Sequence, residues 1–549
     1  FTQRSRASVS IGQLTFGDPF SSQRVAGMLR LEETGVPRLL SSVERVESTD
    51  RLGSTEGVWT RERYRIRQPF GDVEPFVEYE RENRDLSDLA LDRDASGAFA
   101  FREWTPGVRL SGDRLTGRAS LALRSEDETL EGITQRAAHA TTAEAQATWS
   151  PASAYDVAVQ GGYRVRRFTD AFRQAGRRDT ESILLQLDAG AQPWRRAVDA
   201  RLFYDARTER EPTLQEVYVR TGPELGQFVW QDANGDGIQQ VDEFIPETTP
   251  NEGAYVQSFV PSDSLASVVS VDTRLRLRLE PGRVWRRSTS AWKRWLSRVE
   301  TRSTVEVQEK SRSGTLTRLY LLDPAVLRQD GTTVDGTLRM SQAAHFFPRS
   351  RTAGVGVSWT QSRGLTERAS GQERKFLNAW EAETRYRPAT AWTIRLSGAI
   401  QRDRVQSEAF ADTRSYDIFA QQIRPEITYR PTSAWRVTGA STIAVKDDDA
   451  GGRRAEILRV PLEVAWARAG TLRLTAKGEV SDIKLTGDAA GLAQFELTDG
   501  RGSGRSYLWG ANGQYQVSGN IRATFAYDGR APADAPTIHT FRVNVTAQF

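Results

Sequence analysis

The sequence predicts an all-β chain, a large single antiparallel transmembrane β-barrel of about 24 strands. Three observations predict it. Apolar and polar residues alternate with period two in segment after segment. In the closing stretch Phe541, Val543, Val545, Ala547 and Phe549 share one face, and Arg542, Asn544, Thr546 and Gln548 the other. No run approaches the roughly 18 apolar residues of a membrane helix, and the mean hydropathy is -0.54. Finally, 14 Trp, 14 Tyr and 22 Phe accompany 27% charged residues. That mixture is awkward for a soluble core and natural for a wall with lipid outside and water inside.

Composition removes other classes. There is no Cys, hence no disulfide framework and no thiolate metal site. The 75 Lys and Arg nearly balance 71 Asp and Glu, and no cluster dominates, so nucleic acid is not an expected partner. The sequence starts at Phe1 without a signal-peptide core. The expectation is a mature chain over 1–549 or the C-terminal domain of a longer one.

A repeated turn sets the order of elements. Trp149-Ser-Pro151-Ala-Ser-Ala-Tyr155, Tyr386-Arg-Pro388-Ala-Thr-Ala-Trp392 and Tyr429-Arg-Pro431-Thr-Ser-Ala-Trp435 each place small residues after Pro, between two aromatics. Degenerate forms occur at Trp104-Thr-Pro106, Gln192-Pro193-Trp194, Leu279-Glu-Pro281 and Phe346-Phe-Pro348. Pro cannot donate to a ladder and marks a strand end, and the small residues suit a tight turn. The flanking rings belong at a membrane interface. Between the turns lie alternating strands, such as Trp392, Ile394, Leu396 and Ile400 against Thr393, Arg395, Ser397 and Gln401. Leu472 and Leu474 likewise alternate with Arg473 and Lys477. A soluble propeller has a similar period, but blade signatures are missing and these strands are too long. Counting gives 23 strands where an even number is expected. Longer polar stretches, around 125–139, 169–180, 208–264, 312–334, 406–419, 447–454 and 486–503, then fall on the side opposite the short turns.

The terminal strand ending in Phe549 resembles the C-terminal strand of bacterial outer-membrane β-barrels, where the last aromatic is part of the assembly signal. That resemblance implies the bacterial outer membrane, short periplasmic turns, long extracellular loops, and contact with outer-membrane lipid. The segment from Gly226-Gln-Phe-Val-Trp230 through Phe244-Ile-Pro246 to Gly253-Ala-Tyr255 and Pro261 is similar to a stretch in large uncharacterised outer-membrane proteins of Bacteroidota-type bacteria. It implies location and no activity. No plug-like segment precedes the first strands, which argues against a complete TonB-dependent receptor.

Within the long 208–264 loop, Asp232-Ala-Asn234-Gly-Asp236-Gly237-Ile238-Gln239-Gln240-Val-Asp242-Glu243 resembles an EF-hand-like calcium loop. Oxygen ligands stand at positions 1, 3 and 5, Gly at 6 and Glu at 12, the spacing a hard Ca²⁺ needs to collect six to eight oxygens. Asp232, Asn234, Asp236 and Glu243 would ligate through side chains, Ile238 through its carbonyl, and Gln240 directly or through water. The alternative is an Asx/Gly turn that binds nothing.

Two further constellations stand out. The turn 282–296 is basic and Trp-rich, and Ser290 is placed to cap a short helix. Trp292, Trp295 and Leu296 would occupy one side of it, Lys293 and Arg294 the other. It suits an interface anchor in the periplasmic leaflet or a docking site for a periplasmic protein. On the inner wall, Arg274, Arg276 and Arg278 face Glu300, Arg302 and Glu306, while Glu381, Glu383, Arg385 and Arg387 share another polar face. They form either a stiffening salt-bridge lattice or a selectivity filter. Enzyme signatures are absent: His139, His345 and His539 are scattered, and Gly500-Arg-Gly502-Ser-Gly504 is followed by a strand and so is no phosphate loop. The expected function is a transport or translocation pore. The alternative is a structural or surface-interaction subunit with a blocked lumen, binding periplasmic or surface proteins.

Overall fold

The computed structural model describes residues 5–547 apart from 17–19, 34–35, 51–54, 89–92, 95–97, 222–225, 233–234, 236, 248–251, 313–326, 369–370, 409, 469, 489–490 and 534–535. Phe549 lies outside the described residues.

Period-two alternation becomes strand almost everywhere. Among the described residues there are 28 strand segments. Arg93–Asp94, Phe228–Trp230 and Phe244–Pro246 are pieces of two or three residues. Trp435–Ala440 and Thr442–Asp448 are halves of one strand. Setting the three pieces aside and joining the halves leaves 24 long strands, the even number that the sequence count of 23 missed. The halves part for a local reason. Register places Ser441 opposite Pro425 on one neighbour and Ala440 opposite Pro461 on the other, and neither Pro has an N–H to offer.

Two units make up the chain, Phe1–Ala191 with Leu202–Glu209, and Gln192–Arg201 with Arg210–Phe549. In the first, the long strands from Arg6–Phe16 to Thr180–Ala191 each pair antiparallel with the next. Register pairs Leu115 with Trp149 and Tyr155 with both Ala152 and Ala191, so Trp149 and Tyr155 flank the turn end of this unit. In the second, the same meander runs from Tyr255–Leu279 to Ile538–Ala547. Trp392 pairs with Tyr429, Trp435 with Trp466, Arg468 with Leu472, and Ile521 with both Ser518 and Ala547. Tyr386, Trp392, Tyr429 and Trp435 therefore sit at the end of the sheet that carries residue 547.

The strands keep two unlike faces. Trp392, Ile394, Leu396 and Ile400 are 40–52% exposed, as are Ile427, Leu458, Leu462 and Val480 within similar limits. On the other face of the same strand, Arg395 bonds Glu383 at 3.0 Å and Glu426 at 2.6 Å. The accessible surface is 33350 Å², where a compact chain of 61.3 kDa would keep roughly 20,000 Å². Most of the sheet thus has no second layer against it.

Several stretches expected as loops are strand. The segment 125–139 is two strands joined by Glu131 and Gly132, both with positive φ, in a two-residue turn between paired Leu130 and Ile133. The stretch 447–454 is likewise strand on both sides of a short turn. The 208–264 segment contains the ends of the strands Val198–Arg220 and Tyr255–Leu279. Charged, polar sequence reads as loop, but ladder hydrogen bonds and cross-strand ion pairs such as Arg166–Glu126 at 2.6 Å carry the strand onward. The stretch 169–180 does turn, through a short helix Asp170–Gln174 whose Phe172 packs on Phe168, Ala137 and Ala138.

Candidate functional site

The charged face of the second unit is a lattice of Arg–carboxylate pairs. Arg274 bonds Glu306 and Arg278 bonds Glu300, both at 3.0 Å, across adjacent strands. Arg302 turns to Glu300 on its own strand at 2.9 Å, and Arg385 reaches the Ser350 carbonyl at 3.3 Å. Of the charges read from the sequence, Arg274 and Glu306 stand directly in register, while Arg278 lies opposite Arg302 and reaches Glu300 diagonally.

Away from the turn end, this face acquires a lid. The helix Gly491–Thr498 lies against it. Ala493 and Leu497 pack with Val405, Tyr416, Ile418 and Ala455 in a buried cluster. Val405 shares a face with Arg395, by alternation along Trp392–Ser407. Burying Leu497 alone is worth about 1.5–3 kcal/mol. Polar contacts fix the helix C-terminus: Lys446 bonds the Glu496 carbonyl and pairs with Asp499 at 2.7 Å, and Arg459 pairs with Asp499 at 2.8 Å. Burial pushes the Glu496 carboxyl above its ordinary range, reinforced by nearby Asp403 and opposed by Lys446. Burial likewise pulls the Arg501 guanidinium down, although Glu479 is its partner.

Beside this helix stands the segment 226–255. Phe228–Trp230 pairs with Phe244–Pro246, and Phe228 with Tyr255. Gly226 and Gly253 form its neck. A Cβ on Gly226 would sit 2.1 Å from the Gly253 carbonyl oxygen, so neither position tolerates a side chain without moving backbone. Tyr218 stacks on Phe244 at 4.0 Å, with Phe228 and Tyr255 edge-on around the pair. The Thr413 hydroxyl donates to Asp242 at 2.8 Å, tying the segment to the helix Ala411–Arg414. Arg530 pairs with Glu252 at 2.5 Å. A cleft of about 350 Å³ runs between segment and helix, lined by Val229, Ile245, Gln494, Phe495 and Arg501.

Below the lid is a buried ion cluster. Glu216 and Glu373, 6% and 4% exposed, are held by Arg368 and Arg414. Arg414 lies 3.3 Å from Glu373, and Lys375 3.2 Å. The Tyr218 hydroxyl and the Gln257 amide both donate to Glu216 at 2.7 Å. Removing one partner would strand a charge out of water, at a cost of about 3–5 kcal/mol.

Of the expected calcium ligands, Asn234 and Asp236 lie outside the described residues. The Asp232 carboxylate accepts from the Gly235 and Gly237 backbones at 2.7 and 2.9 Å, an Asx-type turn. Glu243 is buried and accepts from Trp230 Nε1 at 2.7 Å and the Gln240 backbone at 3.3 Å. Ile238 is exposed, and Gln240 caps the 3₁₀ turn Val241–Glu243. Among the described residues, no three His, Asp or Glu side chains converge as a metal would need.

Sequence reasoning missed the helix Gly491–Thr498 and the ion cluster. The helix had a signal in the i, i+4 pair Ala493 and Leu497. The cluster had none, because Glu216, Arg368, Glu373 and Arg414 are far apart in the chain and only the meander assembles them.

No protein-family model and no curated protein matches the chain. Among solved structures it is similar to the copper transporter OprC, at 10% identity and a TM-score of 0.36, over 99% of this chain and 80% of that one. It is also similar to the FrpB iron transporter from Neisseria meningitidis, at 10% identity and a TM-score of 0.37, over 94% and 82%. A third likeness is to the siderophore receptor PirA from Pseudomonas aeruginosa, at 9% identity and a TM-score of 0.35, over 100% and 81%. The likenesses run nearly the whole length of this chain, at scores too low to fix kinship.

Proposed function

We propose that the chain is an outer-membrane β-barrel that passes solutes across the outer membrane, with its lumen gated by the helix Gly491–Thr498 and the segment 226–255. One observation carries this reading. The sheet exposes large apolar side chains on one face and a charged lattice on the other, along strands longer than the 9–11 residues that cross a membrane. Water tolerates neither so large an apolar face nor its regular placement between aromatic turn ends. The three similar structures bear the names of transporters and a receptor, which accords with the reading.

The terminal alternation and the 226–261 resemblance to Bacteroidota-type outer-membrane proteins support the location, with the short turns periplasmic. The 232–243 motif would hold one structural Ca²⁺ that orders the lid. No catalytic step belongs to this reading.

A second reading has its own support. The helix Gly491–Thr498 is packed on the charged face and not merely near it, as suits a blocked barrel whose loops meet periplasmic or surface proteins. Planar-bilayer recording of the purified chain separates the two. Discrete conductance steps, enlarged when 488–502 is replaced by a short Gly-Ser link, are expected of the pore. Silence from both proteins at high load would leave the second reading standing.

A further inference from the structure

Two connectors at the turn end of the second unit stand apart from the lattice of paired charges. One is the turn at Pro193–Arg196, the other the pair of short helices Gly282–Trp285 and Ala291–Leu296. The Glu280 backbone N–H donates to the Ala197 carbonyl at 2.7 Å, so the two lie side by side. Their indoles point outward: Trp194 is 72% exposed, Trp292 56% and Trp295 57%. Trp194, Arg195 and Arg196 hold this position with three successive positive φ angles, a conformation that costs non-glycine residues free energy.

The Trp295 indole continues the apolar face. The Trp295 ring lies 6.4 Å from that of Phe346, which is in register with Val299 and Val355. Around the indoles, Arg195, Arg196, Arg286, Arg287 and Arg294 are exposed, and no ion pair among the described residues engages them. The nearby carboxylate, Glu280, is already occupied by Arg278 and Arg283. On the charged face many Arg stand beside Asp or Glu, as Arg274 beside Glu306 and Arg395 beside Glu426. Here five exposed guanidinium groups gather without an ion pair among the described residues, next to rings suited to the bilayer edge.

We propose that these connectors bind the headgroups of anionic phospholipids in the leaflet that the short turns face. Indoles seat in the interface, and guanidinium forks take phosphate oxygens in paired hydrogen bonds. Net negative charge is required. A zwitterionic headgroup carries the same phosphate, but its ammonium would be repelled by so many neighbouring cations. The proposal rests on the barrel reading, which puts this end of the sheet at a membrane surface.

The test reconstitutes the full chain in phosphatidylcholine vesicles with a minor share of phosphatidylglycerol. Bromine is placed on the acyl chains of one lipid or the other, and Trp quenching is read. Brominated phosphatidylglycerol is expected to quench as though enriched about fivefold over its share, given several cations near the surface. The excess should fade with rising salt. The variant R286E/R287E/K293E/R294E should lose the excess and keep its quenching by brominated phosphatidylcholine. Should that variant fail to insert, the salt series on the wild-type chain decides alone. Quenching in proportion to mole share, or an excess insensitive to salt, overturns the proposal and leaves the barrel standing. No quenching by either lipid overturns the barrel reading, and the proposal with it.

Discussion

Placing a guanidinium at Val543 tests the apolar face at its plainest point. Val543 is 56% exposed and lies four residues from Ala547 at the turn end. That is about 13 Å along the strand, near mid-height of an apolar band about 25 Å tall. V543R should therefore cost about 2–4 kcal/mol in reversible refolding into vesicles. A loss no larger than that of V543T would mean the face does not meet lipid. At the turn end, Glu280 is held below the usual carboxylate range by its bond from Arg283, with Arg278 adding to it. The folded chain thus releases this proton more readily than the unfolded one. The stability it contributes is fully present above the ordinary Glu range and is lost as pH falls through the lowered folded value. Trp285 and Trp292, in edge contact at 5.6 Å, should report the loosening by fluorescence at acid pH. E280Q should flatten that acid transition; an unchanged transition would show that another group sets it. Residue identity made the two faces legible, since Ile394 and Arg395 declare theirs by alternation alone. It could not reveal Gly226 and Gly253, whose meaning is a backbone approach that only the folded segment makes.

At the scale of elements, the strands were legible and the longer connectors mostly were not. Alternation persists wherever one face is apolar, so Trp392–Ser407 is readable from its residues. Beyond the apolar band both faces are charged, and Glu126–Leu130 or Arg453–Glu456 then look like loop although the ladder continues. The short helix Ala291–Leu296 was foreseen, although its Lys293 lies over the Trp292 ring at 5.4 Å. Ser290, however, makes no side-chain cap bond, and its own N–H donates to the Ser288 hydroxyl at 3.3 Å. The helix Gly491–Thr498 invites a direct perturbation. L497A should remove about 2–5 kcal/mol of packing and raise amide exchange across 491–498. Unchanged exchange would mean that Lys446 and Arg459 hold the helix without its apolar side. For the segment 226–255, millimolar Ca²⁺ should protect against protease and chelator should reverse it, matching a site with a Kd of about 10⁻⁴–10⁻³ M. D236A should abolish the response. Equal cleavage of the wild-type chain with and without the ion would reduce 232–243 to the turn that Asp232 already makes with Gly235 and Gly237.

On the scale of the whole molecule, repetition made the fold legible. A turn repeated about every 40 residues implies a meander, and each neighbouring pair can then be named before any contact is known. The lid was hidden for the same reason, because it joins distant connectors that follow no repeat. A meander depends on every seam, and proline weakens the one around Ser441. Pro425 and Pro461 flank Ser441 and Ala440 from both sides, removing donors at one height on adjoining strands. Amides from 438 to 444 should exchange faster than those of the neighbouring strand Leu472–Thr486, and P425V/P461V should close the difference. Equal rates in the wild-type chain would show the row to be intact. Under lateral load the missing donors amount to a perforation, a place where the fabric tears first, and where crowding by neighbouring proteins would be felt before anywhere else along these strands.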